Sequence, residues 1–241
     1  MPTTVLYLVR HAQIAENRPA RRAGSAAGAW DWRYGAFPDA PVDEAGQRQA
    51  AALRERLAGL SFAGAYTSPY RRAQETAQAI LDGLTSRPSG LALTTDARWQ
   101  ERDYGELDGL WASEIAQVCP PGPELFDASE DGHPGGAESL LEVRRRVRGA
   151  FDEVVERHPG EAVLVVSHKT SLRVLICDLL GLPLTMYKRI GQHNATLNVV
   201  TIEPQRVRVA LVNDACHVGR LSSAGLSPSE AEPAAAPDAE G

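Results

Sequence analysis

The chain has little cysteine. Cys119, Cys177 and Cys216 are far apart and form no CxxC pair, so neither a disulfide framework nor a structural zinc site is expected, and the usage fits a reducing compartment. Long apolar runs are also missing. The run from Val5 to Val9 is ended by Arg10 and is too short for the core of a signal peptide. The stretch from Ser171 to Leu180 carries Arg173 and Asp178, which a membrane span would not tolerate. A cytoplasmic protein without a membrane partner is the expectation. Basic charge is not in excess either. The chain has 25 Lys and Arg against 31 Asp and Glu, a net −6 over 241 residues, which argues against nucleic acid as a partner. No GxxxxGK[ST] phosphate loop and no GxGxxG fingerprint occur, and Ser25 lies in Gly-Ser-Ala-Ala-Gly, which is not a GxSxG nucleophile elbow. P-loop nucleotide hydrolysis and serine-hydrolase chemistry are thereby set aside.

What is present alternates. Val5–Val9 reads as a strand buried on both faces, and Ala162–Val166 as another strand. Shorter strands are expected over 62–67 and 91–95, and a terminal hairpin over 196–202 and 207–212. Helices are expected over 44–58 behind the cap Asp43, from Pro69 to Asp82 behind the cap Ser68, over 137–158, and over 171–180. A short helix is broken by Pro120-Pro121-Gly122-Pro123, and loops fill 98–110 and 127–137. The aperiodic segment 18–41 reads as a long functional excursion, with Arg18, Arg21, Arg22, Trp30 and Trp32 as candidate wall residues. Strands alternating with helices predict a three-layer α/β/α sandwich around a mostly parallel sheet. One domain is expected over 1–216. Residues 217–241 read as a disordered tail of Ala, Pro, Ser and acids, which hold too little apolar surface to order themselves.

Two strands end alike. Val5–Val9 runs into Arg10-His11, and Val163–Val166 runs into Ser167-His168. In a parallel sheet, ligands bind at the carboxyl ends of the strands, so both histidines are placed where a ligand would be. A third strand, ending at Thr67, leads into a helix carrying Arg71 and Arg72. Histidines among arginines suit phosphate: guanidinium forks match its oxygens, a helix N-terminus adds N–H donors, and a neutral imidazole is a nucleophile. Arg144-Arg145-Arg146 reads as a solvated helix face, and Tyr104 and Trp111 as packing or pocket wall. His133 and His158 show no metal spacing, and no metal or cofactor is expected.

These motifs together resemble the histidine phosphatase (phosphoglycerate mutase-like) superfamily. Leu8-Val9-Arg10-His11-Ala12-Gln13 is similar to its L-V-R-H-G-[EQ] signature, with Asn17 at the family spacing. Ser68 to Ala77 is similar to its S-x-x-x-R-A-x-x-T-A helix start, which selects Arg72 over Arg71. Glu101 to Gly109 resembles its glutamate loop, and Val165 to His168 its second-histidine motif. The resemblance covers about residues 4–214 and implies a phosphohistidine at His11. Arg10, Arg72 and His168 would hold the phosphoryl oxygens, Glu101 would serve as acid and base, and Asn17, Gln13 and Lys169 would be further phosphate or substrate contacts. Three departures stand out. Ala12 replaces the usual Gly, Ile14 stands where a hydroxyl is common, and Lys169 stands where Gly is common. Only a short segment separates Gly109 from Pro134-Gly135-Gly136; the family's mutases usually carry a sizeable insertion there, so the resemblance implies a phosphatase of a small phosphorylated metabolite. A 2,3-bisphosphoglycerate-dependent mutase is the alternative, and a phospho-ligand binding module the non-enzymatic one. A homo-oligomer is compatible with the sequence and is not specified by it.

Overall fold

The computed structural model describes residues 2–18, 20, 31–119 and 134–218. Among the described residues six strands form one sheet: β1 Thr4–Arg10, β2 Gly64–Thr67, β3 Leu93–Thr95, β4 Ala162–Ser167, β5 Leu197–Glu203 and β6 Arg206–Asp214. Their order is β3-β2-β4-β1-β5-β6. The first four are mutually parallel, β5 runs antiparallel to β1, and β6 antiparallel to β5. The five helices of four or more residues and α-helical geometry among the described residues are α1 Glu44–Leu57, α2 Arg71–Asp82, α3 Ala112–Val118, α4 Leu140–Arg157 and α5 Lys169–Leu179.

The alternation of side chains along a strand explains why β4 is apolar from Ala162 to Val166. Val163 and Val165 face one cluster with Leu140, Val147 and Phe151 of α4 and Leu172 and Ile176 of α5. Leu164 and Val166 face the other, with Leu53 and Leu57 of α1 and Ala73 and Ile80 of α2. A strand covered by helices on both sides has no solvent face to mark with polar residues. Each fully buried Leu, Val or Ile contributes about 1.5–3 kcal/mol, so the two clusters fix the central strands rigidly. The expected three-layer sandwich is what forms.

Element ends depart from expectation where a side chain has another partner. Asp43 does cap α1, its Oδ1 accepting from Gly46 N at 2.8 Å. Ser68, however, does not cap a helix starting at Pro69. The helix begins at Arg71 after Tyr70, because the Ser68 hydroxyl faces His168 and accepts from Tyr70 N at 3.2 Å. Helix α4 starts at Leu140 rather than 137, since Ser139 forms a capping box with Glu142. Helix α5 starts at Lys169 rather than 171, with the extended His168 as its N-cap residue. His217 and Val218, assigned to the tail by sequence, belong to the body: Val218 is buried and His217 Nε2 bonds the Ala195 carbonyl at 2.7 Å. The rest of the expected tail, from 219, lies outside the described residues, as do Arg21, Arg22, Trp30, the Pro120–Pro123 break and His133.

Candidate active site

β1 and β4 are adjacent and in register, Arg10 opposite Ser167. Each strand therefore releases its histidine at the same level of the same sheet edge. His11 N donates to Ser167 O at 3.0 Å, and the two imidazole centroids lie 5.0 Å apart. β2 flanks β4 on the other side, and α2 rises from its end carrying Arg72 into the gap. His11, His168, Arg10 and Arg72 are all buried.

Hydrogen bonds set the protonation of both rings. His11 Nδ1 lies 2.7 Å from Ala12 O. A carbonyl only accepts, so Nδ1 carries the proton and Nε2 keeps its lone pair. That lone pair meets Arg72 Nε–H at 3.2 Å. The second guanidinium arm, Nη2, donates to His168 Nδ1 at 3.0 Å. The His168 proton is then on Nε2, which donates to Ser68 Oγ at 2.7 Å. The third arm, Nη1, donates to the Phe37 carbonyl at 2.7 Å. Phe37 has φ 44°, a left-handed conformation rare outside glycine, which turns this carbonyl toward the guanidinium.

Burial pushes both histidines well below their ordinary 6.5, and the Arg72 and Arg10 charges push the same way. Burial also lowers Arg72 to about 10, with the Glu101 carboxylate opposing the shift, so Arg72 stays cationic at neutral pH. The site thus presents two imidazole lone pairs, on His11 Nε2 and His168 Nδ1, to one buried guanidinium, an arrangement complementary to a phosphoryl group.

These pKa directions predict an acid-sensitive fold. Both histidines are neutral when folded and titrate near 6.5 when unfolded, so the unfolded chain binds more protons below that pH. Stability is complete above 6.5 and is lost as pH falls beneath it. The slope is about 1.4 kcal/mol per pH unit for each histidine. Urea unfolding between pH 7.5 and 5.5 checks this, and a His11→Asn variant should show a slope shallower by one proton. Identical slopes would refute the neutral assignment for His11.

Glu101 reaches the same edge from the loop after β3. It is buried, and its Oε1 accepts from Arg102 N at 2.8 Å and Thr170 N at 3.1 Å. Thr170 N, one of the N-terminal N–H groups of α5, is therefore engaged by Glu101. Asn17 is oriented from behind, its Oδ1 accepting from Asn194 Nδ2 at 2.9 Å. The side-chain N–H of Gln13 is engaged by Asp43 at 3.1 Å, not by the histidine cluster. Lys169 is the first residue of α5, next to His168. Arg18 pairs with Asp43 at 2.8 Å.

The chain matches the Histidine phosphatase superfamily (branch 1) over residues 6–215. It belongs to that superfamily. A phosphoserine phosphatase of Hydrogenobacter thermophilus is 31% identical over 219 residues, 90% of this chain and 95% of that protein. A 2,3-bisphosphoglycerate-dependent phosphoglycerate mutase of Brucella anthropi is 39% identical over 182 residues, 73% of this chain and 82% of that protein. Among solved structures, Bacillus stearothermophilus YhfR superposes with a TM-score of 0.73 at 26% identity, covering 89% of this chain and 99% of that one.

Several residues at this histidine phosphatase site escaped the sequence reading. The loop before β5 brackets the first histidine: the Gln192 carbonyl accepts from Arg10 Nη1, Ala195 N donates to His11 O at 3.1 Å, and Asn194 Nδ2 approaches the same carbonyl at 3.3 Å. Thr76 Oγ1 accepts from Ala12 N at 3.0 Å. The Tyr70 ring stands 5.1 Å from His168 and 5.0 Å from the Arg72 guanidinium. The segment 31–41 is stitched to the glutamate loop through Gly109 N to Tyr34 O at 2.7 Å and Ala36 N to Asp108 Oδ1 at 2.6 Å. Thr76 and Tyr70 lie inside the quoted helix motif and were legible there, whereas the loop before β5 and the segment 31–41 act largely through backbone atoms. No group of three metal-ligating side chains occurs among the described residues, and no described helix is long and apolar enough to cross a membrane.

Proposed function

We propose that the chain is a phosphatase of small phosphomonoesters acting through a phosphohistidine at His11. The observation that carries this is the His11 tautomer: Nδ1 is pinned to Ala12 O, and the Nε2 lone pair points at the one guanidinium that also binds His168. Substrate phosphate would displace the two histidine contacts of Arg72 and take over its donors. Nε2 attacks phosphorus, the N–P bond forms and the ester P–O bond breaks. Glu101 gives a proton to the leaving oxygen, releasing the alcohol. In the second half, water attacks phosphorus, its proton returns to Glu101, the N–P bond breaks and inorganic phosphate leaves. Arg10, Arg72 and His168 hold the phosphoryl oxygens throughout, with Asn17 and Lys169 at the periphery. None of these steps draws on a cofactor or metal.

The phosphoserine phosphatase similarity, spanning nearly the whole of both chains, favours water as acceptor and a metabolite of phosphoserine size as substrate. The mutase reading is favoured by the higher identity to the Brucella protein, although over a smaller share of each chain. Phosphorus NMR separates them. The protein is mixed with 3-phosphoglycerate, a trace of 2,3-bisphosphoglycerate, phosphoserine and other phosphomonoesters. Growth of inorganic phosphate is the expected result. Appearance of 2-phosphoglycerate without phosphate release would establish the mutase. Ligand binding with no turnover of any ester would leave a binding module.

A further inference from the structure

Arg146 is the third member of the arginine run read from sequence as a solvated face. Arg144 and Arg145 are exposed, but Arg146 keeps only 14% of its side chain in solvent and turns inward. Its Nε and Nη2 form a fork on the Glu138 carboxylate at 2.6 and 2.8 Å. Its Nη1 donates to the carbonyls of Arg98 and Gln100 at 2.9 and 2.8 Å. These carbonyls belong to the strand of loop that enters Glu101. Glu138 grips the strand that leaves it: its N donates to Asp103 O at 2.8 Å, its Oε2 accepts from Asp103 N at 3.3 Å, and its carbonyl accepts from Arg102 Nε at 2.7 Å. One ion pair therefore holds the chain on both sides of Glu101. From α5, the Ser171 hydroxyl donates to the same Gln100 carbonyl.

We infer that Arg146, through its pairing with Glu138, is a positioning residue that aims the Glu101 carboxyl at the leaving-group oxygen. Only arginine suits the place. The carboxylate fork and the two carbonyls need four N–H donors in one plane, and a lysine ammonium offers three on a point. Side-chain alignment matters here because proton transfer needs hydrogen-bond reach, and a displacement of about 1 Å costs roughly a hundredfold in rate. The inference rests on the proposed role of Glu101, and leaving-group dependence tests both. Nitrophenolate leaves without a proton, whereas an aliphatic alkoxide does not.

The measurement is kcat/KM for p-nitrophenyl phosphate and for the aliphatic phosphomonoester hydrolysed fastest in the NMR panel. The enzymes compared are wild type, Arg146→Lys, Arg146→Met and Glu101→Gln, with thermal unfolding of each. The Arg146 variants should lose roughly 30- to 100-fold on the aliphatic ester and less than about threefold on the aryl ester, tracking Glu101→Gln. Arg146→Lys, which keeps the charge pair with Glu138, covers the case in which the methionine variant does not fold. If the two esters fall in equal proportion, or neither falls, while Glu101→Gln discriminates between them, the inference is overturned and Arg146 is merely structural. If Glu101→Gln does not discriminate, the acid assignment fails and takes the inference with it.

Discussion

Replacing His11 with asparagine should lower turnover of every phosphomonoester by about 10⁴-fold or more, the scale on which a removed nucleophile is felt. The same change should abolish a phosphoenzyme that is stable in base and labile in acid, the signature of a phosphoramidate. Rapid quenching after mixing with a ³²P-labelled substrate reads both. The expectation is this large because nothing nearby can substitute. His168 is buried like His11, but its one lone pair is aimed at Arg72 Nη2 and its Nε2 proton at Ser68. It is thus a donor and a brace, held in the tautomer opposite to that of His11. If the asparagine variant keeps more than about a hundredth of wild-type activity, the attacking atom lies elsewhere and the proposed mechanism is wrong. The equilibrium fold should survive, since the backbone bonds of His11 to Ser167 and Ala195 do not depend on its ring.

The part of this site that lies on β1, β4 and the start of α2 was legible from residue order alone. A buried strand must be apolar, so the first polar residue after it marks the sheet edge, and two strands ending in histidine mark the same edge when they are parallel neighbours. Arg72 was separable from Arg71 only by the family pattern; the structure shows the physical reason. Arg72 lies on the buried face of α2, whereas Arg71 is solvent-facing and pairs with Glu75 at i+4. The backbone acceptors were not legible. Phe37 serves through its carbonyl, as does Gln192, and a carbonyl is the same in every residue. Arg146 failed for a different reason. Helical periodicity sets it beside Val143 and Val147, at the margin of the buried stripe, where a long side chain can run outward or fold back over the core. Which of these it does depends on Glu138 and on two loop carbonyls that periodicity cannot place.

Replacing Arg72 with lysine should lower kcat/KM by roughly 10³-fold, with most of the loss in kcat, because its donors face charge that grows in the transition state. The count of bonds explains why so similar a residue should fail. Arg72 serves His11, His168 and the Phe37 carbonyl at once, from three different nitrogens of one plane. The Phe37 contact anchors one arm. On the proposed mechanism the other two would exchange imidazole lone pairs for phosphoryl oxygens when substrate arrives. A lysine ammonium cannot stay anchored and span both positions. Burial also matters: it already draws Arg72 down to about 10, and the same environment would depress a lysine from its lower starting value, so part of the cation would be lost as pH rises. The kcat/KM of Arg72→Lys should therefore fall further on the alkaline side, with wild type showing no such limb below pH 9. A parallel profile, offset by a constant factor, would show that fork geometry rather than charge sets the loss. An unchanged kcat would remove Arg72 from the transition state altogether.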